Sequence, residues 1–152
     1  MTYQHAVRHV PVTDPVNAMM SWPVATVAIT DSVAEVSREL AADEIGAVLV
    51  LHDGVLVGVV SERDVAAQVG TGTDTTQLTA ADIMTTDVVT VPPDAPLLEA
   101  ARIMYGAQVR HLPVVSDAGL IAGILSIRDL FNVFLGLVER SPFDPMRLSP
   151  PR

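Results

Sequence analysis

The sequence predicts an α/β (α+β) fold made of two tandem β-α-β-β-α repeats that pack on one another with pseudo-two-fold symmetry. Three observations carry this. The chain coincides with itself when Met20 is laid on Met84, an offset of 64 residues that becomes 65 after a one-residue insertion near Ser116-Asp117. Each copy holds two apolar runs separated by a short glycine-containing turn, and each places helix-start signals at the same two points. In this register Val24 falls on Val88, Glu35 on Glu99, Arg38 on Arg102 and Val50 on Val114. Beyond the insertion, Gly58 falls on Gly123, Ser61 on Ser126, Arg63 on Arg128 and Asp64 on Asp129.

Taken in order, residues 1–15 read as an N-terminal extension with Pro11 and Pro15, and 16–70 as the first repeat. An extended piece around Thr26 leads to Ser32, which with Glu35 forms a capping box. The helix it opens keeps Val33, Val36 and Leu40 at helical spacing. Ala47 to Leu51 and Val55 to Val60, joined by His52-Asp53-Gly54, read as a hairpin, and a second helix follows Ser61. Residues 71–79 form a polar, small-residue linker from which only connection is expected. The second repeat, 80–138, repeats the order. An extended piece around Thr90 precedes a helix begun by Asp94 and Pro96, with proline in the first turn, and ended by Gly106. Leu112 to Val115 and Leu120 to Leu125 then turn around Asp117-Ala118-Gly119. A last helix runs from Ser126 through Phe131, Phe134 and Leu135 to Val138. Residues 139–152 are a proline-rich tail. A copy of about 50 residues has a thin core, so the two are expected to share one.

Composition narrows the function. Hydrophobic residues make up 49% and charged residues 18% of the 152 residues, which places the bulk far from disorder. No apolar stretch approaches the ~20 residues of a membrane span. Met1 to His5 lacks a basic region followed by an apolar one, so a cytoplasmic location is expected. A net charge of −9 argues against nucleic acid, whose binders profit from clustered basic surface. Without cysteine there are no thiolate sites. All nine basic residues are arginine, so a bound anion would rely on Arg, His, hydroxyls, main-chain N–H groups or a metal.

The sharpest pattern is Gly58-Val59-Val60-Ser61-Glu62-Arg63-Asp64 and its copy Gly123-Ile124-Leu125-Ser126-Ile127-Arg128-Asp129, each running from a strand into the first turn of a helix. Ser followed three residues later by Asp is itself a capping box, which stabilises a helix by about 0.5–2 kcal/mol with no ligand. Three points favour a site beside that reading. Gly58 and Gly123 would let another group approach the strand closely. A helix start with a hydroxyl is a natural phosphate cradle. Arg63 and Arg128 stand where the helix dipole disfavours a cation, which an anionic ligand would offset. An acid would repel phosphate, so Asp64 and Asp129 suit the hydroxyls of a sugar. Phosphate at Ser and Arg with ribose at Asp describes a nucleotide.

Twin halves each ending in Gly-hydrophobic-x-Ser-x-x-Asp, opened by Met20-Ser21 and Met84-Thr85, resemble the cystathionine-β-synthase (CBS) domain pair over roughly residues 16–138. The resemblance implies a regulatory, non-catalytic module that binds adenosine-containing ligands such as AMP, ADP, ATP or S-adenosylmethionine in clefts between the halves. By position, Asp64 and Asp129 would hold ribose and Ser61 and Ser126 phosphate. Thr26, Val27, Thr90 and Val91 would touch ribose or base. Arg110 and His111, on a strand Val109 to Val115, would face phosphate, with Mg²⁺ accompanying a polyphosphate. Their counterparts Gly46 and Ala47 carry no charge, so the clefts are expected to be unequal; which one receives Arg110 stays open. The resemblance also implies a homodimer, to which Phe131, Phe134 and Leu135 would contribute, and a separate protein target. The competing reading is a ligand-free scaffold in which Ser-x-x-Asp is only a cap.

Other features read as structural. His5 and His9 share a helical face without a third metal ligand, His52 sits in a turn, and Asp82 and Asp87 read as surface acids. Trp22 could cover a base or wedge the halves apart. No catalytic triad, paired catalytic carboxylates or phosphate-loop motif is visible.

Overall fold

The computed structural model describes residues 10–138; His5, His9 and the tail 139–152 lie outside the described residues. The first half contains β1 (Thr26–Ala28), α1 (Val33–Ala42), β2 (Ala47–His52), β3 (Val55–Ser61) and α2 (Glu62–Gly70). A short helix, α3 (Ala80–Ile83), leads into the second half. That half holds α4 (Leu97–Ala107), β4 (His111–Val115), β5 (Ile121–Ser126) and α5 (Ile127–Val138). Among the described residues no helix is long and apolar enough to cross a membrane.

Local chemistry explains the elements. Ser32 and Glu35 form the expected capping box, with Ser32 N–H donating to Glu35 Oε2 at 2.7 Å, and Val33, Val36 and Leu40 are buried. The β2–β3 hairpin turns on Asp53 and Gly54, both left-handed at φ 50° and 79°, as a two-residue turn matched to strand twist requires. Two boundaries in the second half differ from expectation. Pro96 is the N-cap of α4 and lies outside its first turn, and the helix passes Gly106 to end where Gln108 turns left-handed at φ 55°. Gly106 needs no special backbone; the stop comes from Val109 N–H, which donates to Met104 O at 3.1 Å.

The sheets also differ, for one reason. β1 pairs in parallel with β2, and β2 antiparallel with β3, whereas β4 and β5 form a two-stranded sheet. In the first half Leu49 N–H donates to the Ala25 carbonyl at 3.0 Å. The residue in register with Leu49 is Pro113, which has no N–H. The expected extended piece around Thr90 therefore shrinks to a single bridge between Val91 and Val114.

What joins the halves is a reciprocal exchange. The segment leading each repeat packs into the other half: Val10 and Val16 are buried in the second half's core, and Ala80 in the first's. Val59 and Thr85 exchange main-chain hydrogen bonds of 3.1 and 2.9 Å, and Ser21 and Ile124 exchange bonds of 2.8 and 3.1 Å. The same segments satisfy orphan helix N–H groups. Leu97 and Leu98 donate to Asp14 and Val12 carbonyls, and Val33 and Ala34 to those of Leu78 and Thr75. The linker thus does more than connect, since Thr75 and Leu78 cap α1. Between the sheets Ala47, Leu49 and Ile124 form a shared buried cluster.

Gly58 and Gly123 are what let the exchanged segments close. A Cβ on Gly58 would stand 2.4 Å from Met84 Sδ, and one on Gly123 would stand 2.7 Å from Met20 Sδ and 2.8 Å from the Ser21 carbonyl oxygen. Neither glycine faces an open hollow. The close approach expected of them is made by the methionine that opens the opposite repeat.

A second inter-half contact is polar. His111 Nε2 lies 2.7 Å from the Ile45 carbonyl, which can only accept, so the ring is held with its proton on Nε2. Burial, outweighing the Ile45 hydrogen bond and the Glu62 charge, pulls its pKa below the ordinary 6.5.

Two outcomes follow for stability. Gly58→Ala should destabilise by about 1–3 kcal/mol in urea unfolding, relieved in part by Met84→Ala, while Gly123→Ala should cost more because its clash includes main chain. Because folded His111 resists protonation, its contribution is fully present above pH 6.5 and is lost as pH falls through the folded value. Below pH 6.5, stability should therefore fall less steeply with falling pH in His111→Gln than in the wild type. Equal slopes would refute this.

Candidate functional site

Two hollows open along the seam. The larger, of about 300 Å³, is lined by Ser61, Arg63 and Asp64 from the β3–α2 junction, by Thr85, Asp87, Val88 and Val89 from the exchanged segment, and by Gln108, Val109 and Pro113. The smaller, of about 160 Å³, is lined by Glu44, Ile45, Ser126, Ile127 and Arg128. Gly46, Glu62, Arg110 and His111 line both, so the hollows share one wall. Neither cleft alone receives Arg110: it stands with Ser61 and Asp64 in the larger hollow and with Ser126 and Arg128 in the smaller.

Both acids of the repeated motif are folded back onto their own helix starts. Asp64 Oδ2 accepts from Ser61 N–H at 2.8 Å and Ser61 Oγ at 2.7 Å; Asp129 Oδ2 accepts from Ser126 N–H at 2.7 Å and Ser126 Oγ at 2.8 Å. One oxygen of each carboxylate is thus occupied by capping. Among the described residues nothing donates to Asp64 Oδ1, and Asp64 lines the larger hollow. Asp129 lines neither, so the two copies are alike as caps and differ as cavity groups. The serine hydroxyls are also committed: each gives its single proton to the carboxylate and meets a phosphate only as an acceptor unless it turns. The main chain at the helix start is likewise partly used, since Glu62 N–H donates to Gly46 O at 3.1 Å and Ile127 N–H to Arg110 O at 2.8 Å.

The remaining motif residues separate. Arg63 lines the larger hollow, Ser126 and Arg128 the smaller, and Arg110 and His111 both. His111 belongs to the wall as a neutral ring tied to Ile45, and Arg110, which precedes β4, is the cation that both hollows share. Thr26, Val27, Thr90 and Val91 line neither hollow: Val27 and Val91 point into the two cores and the threonines are exposed. Trp22 is exposed and lines neither. Gly58 and Gly123 are covered by methionine.

Sequence reasoning passed over the most useful wall. Thr85 to Val89 directly follow Met84, already in register with Met20, and the exchange carries them onto the other half. From Thr86 to Thr90 no main-chain group takes part in a hydrogen bond among the described residues. Val88 and Val89 therefore bring apolar side chains together with free N–H and carbonyl groups, the combination that suits the face and edge of a heterocyclic base. The counterpart segment lacks this, because the Ala25 carbonyl is taken by Leu49. Chemically the larger hollow offers a carboxylate oxygen, two arginines, apolar walls and unpaired main chain. Among the described residues no group of three side chains could hold a metal ion.

Comparison with known proteins agrees with this architecture. The CBS domain family model matches residues 16–70 and 80–136. The CBS domain-containing protein YhcV of Bacillus subtilis is 31% identical over 111 residues, covering 73% of this chain and 79% of that protein. Protein MK0525 of Methanopyrus kandleri is 30% identical over 112 residues, covering 72% of this chain, and the match spans 57% of its length. Among solved structures, the CBS domain protein PAE2072 from Pyrobaculum aerophilum, complexed with AMP, superposes with a TM-score of 0.73 at 30% identity, covering 82% of this chain and 98% of that one. The CBS domain pair of protein MJ0100, in complex with 5′-methylthioadenosine and S-adenosyl-L-methionine, superposes with a TM-score of 0.72 at 27% identity, covering 81% and 97%. With both repeats matched and the fold shared, the chain belongs to the CBS domain family, as a tandem pair.

Proposed function

We propose that this chain is a regulatory module that binds an adenosine-containing ligand in the larger hollow and passes its occupancy to a protein partner. The observation that carries the reading is Asp64, which lines a hollow together with Val88, Val89 and the cation Arg110, and whose Oδ1, like the Val88 and Val89 main chain, has no partner among the described residues. A ribose diol would donate to Oδ1, a base would lie against Val59, Val88 and Val109, and phosphate or another anionic group would meet Arg110 or Arg63. The AMP-bound and S-adenosylmethionine-bound relatives support the ligand class.

A volume of about 300 Å³ sits at the low end of small-molecule sites, and about 160 Å³ falls below it. We infer one nucleoside per chain, in keeping with the unequal clefts expected from Arg110 and His111 standing where the first repeat has Gly46 and Ala47. The Asp129 copy of the motif serves as a cap alone, as the scaffold reading held for both. Signalling would run through packing of the halves or of two chains in a homodimer. Phe131, Phe134 and Leu135 on α5, all exposed, are the surface proposed for that dimer. The shift in packing can be no larger than the ligand's difference in affinity between the two arrangements.

Asp64→Ala and Asp129→Ala test this together, because each removes the same cap at a cost of about 0.5–2 kcal/mol. AMP at 100 times its Kd should stabilise wild type and Asp129→Ala alike, by about 2.7 kcal/mol in thermal denaturation. Asp64→Ala should lose at least about tenfold in AMP affinity by calorimetry, the scale of a hydrogen bond to a charged group. Equal losses in both variants, or no stabilisation by AMP, ATP or S-adenosylmethionine, would return the protein to a scaffold.

A further inference from the structure

This inference rests on the adenosine-ligand reading and concerns how the base is selected. The two halves differ at one main-chain hydrogen bond. In the first, the Ala25 carbonyl accepts from Leu49 N–H at 3.0 Å. In the second the same positions are Val89 and Pro113, and the proline has no hydrogen to give. No other donor among the described residues reaches the Val89 carbonyl. Val89 and Pro113 both line the larger hollow, so the orphan acceptor belongs to its wall.

We propose that Pro113 is a positioning residue for base specificity: by withholding a strand N–H, it keeps the Val89 carbonyl free to accept from the 6-amino group of adenine. Once a base covers this half-buried wall, a carbonyl without a donor would be costly, and the amino group supplies the donor that the strand lacks. A 6-oxo purine would set its own oxygen against this carbonyl, leaving two acceptors opposed. Val59, Val88 and Val109 contact a ring face and cannot tell amino from oxo, so discrimination falls to the main chain. The first half shows the alternative outcome. There leucine donates, a third strand forms, and the carbonyl is consumed.

The test compares AMP with inosine 5′-monophosphate, whose purine carries oxygen in place of the amino group, by calorimetry on the full chain. Wild type should prefer AMP by at least about tenfold, the scale of one hydrogen bond made against one opposed pair. In Pro113→Ala the new N–H should take the Val89 carbonyl, as Leu49 takes that of Ala25. The preference should then shrink to within about threefold through weaker AMP binding. Pro113→Leu, which copies the first half's own residue, is the second variant should alanine fold poorly. Slow amide hydrogen exchange at position 113 should report the added strand bond in either. A freely exchanging amide there, or an undiminished preference for AMP, overturns the proposal while leaving the ligand class standing. Wild type that binds no adenosine compound overturns the ligand reading itself, before any variant is made.

Discussion

The closure of Met20 over Gly123 and of Met84 over Gly58 is the constraint on which the rest of the molecule depends. Each methionine opens a segment that leaves its own repeat and hydrogen-bonds to an outer strand of the other, so β3 and β5 are covered where they would otherwise present open edges. Any side chain larger than hydrogen at either glycine would hold the segment off. The same segments then deliver carbonyls to the first turns of α1 and α4, and buried side chains to the opposite cores. Neither half is a folding unit by sequence alone, because each finishes its hydrophobic core with residues from the other.

The exchange also creates the seam in which both hollows lie, and small differences between the repeats make them unequal. Arg110 and His111 stand where the first repeat has Gly46 and Ala47, and Pro113 stands where it has Leu49. The first difference places a cation and a neutral, half-buried imidazole in the shared wall. The second removes one strand bond, leaving the second half with a single bridge and Thr86 to Thr90 without main-chain partners among the described residues. A nearly symmetric backbone therefore carries two cavities of different size and different chemistry.

The repeated Ser-x-x-Asp shows why capping and ligand binding are not alternatives. A carboxylate has two oxygens, and the capping box uses one, taking both the serine amide and its hydroxyl on Oδ2. Whether the other oxygen can serve a ligand depends on what lies in front of it. Asp64 lines the larger hollow; Asp129 lines neither. The glycine, serine, arginine and aspartate of the motif are the same in the two places, so those residues could not have distinguished them.

That contrast marks how far the chain could be read without its fold. The duplication, the order of elements, the Ser32–Glu35 box and both hairpins were legible, because periodicity, capping and turn chemistry act between residues close in sequence. The Ser-x-x-Asp pairs were likewise legible as helix caps, while Thr26, Val27, Thr90 and Val91, expected at the site, line neither hollow. The crossing of the leading segments was not legible. It decided that the glycines meet methionine, that Thr85 to Val89 become a cavity wall, and that Arg110 joins Asp64. Each of these is a contact between residues far apart in the chain, from Gly58 with Met84 to Gly123 with Met20, whose geometry is set by the packing of two shared cores, and no local pattern encodes it.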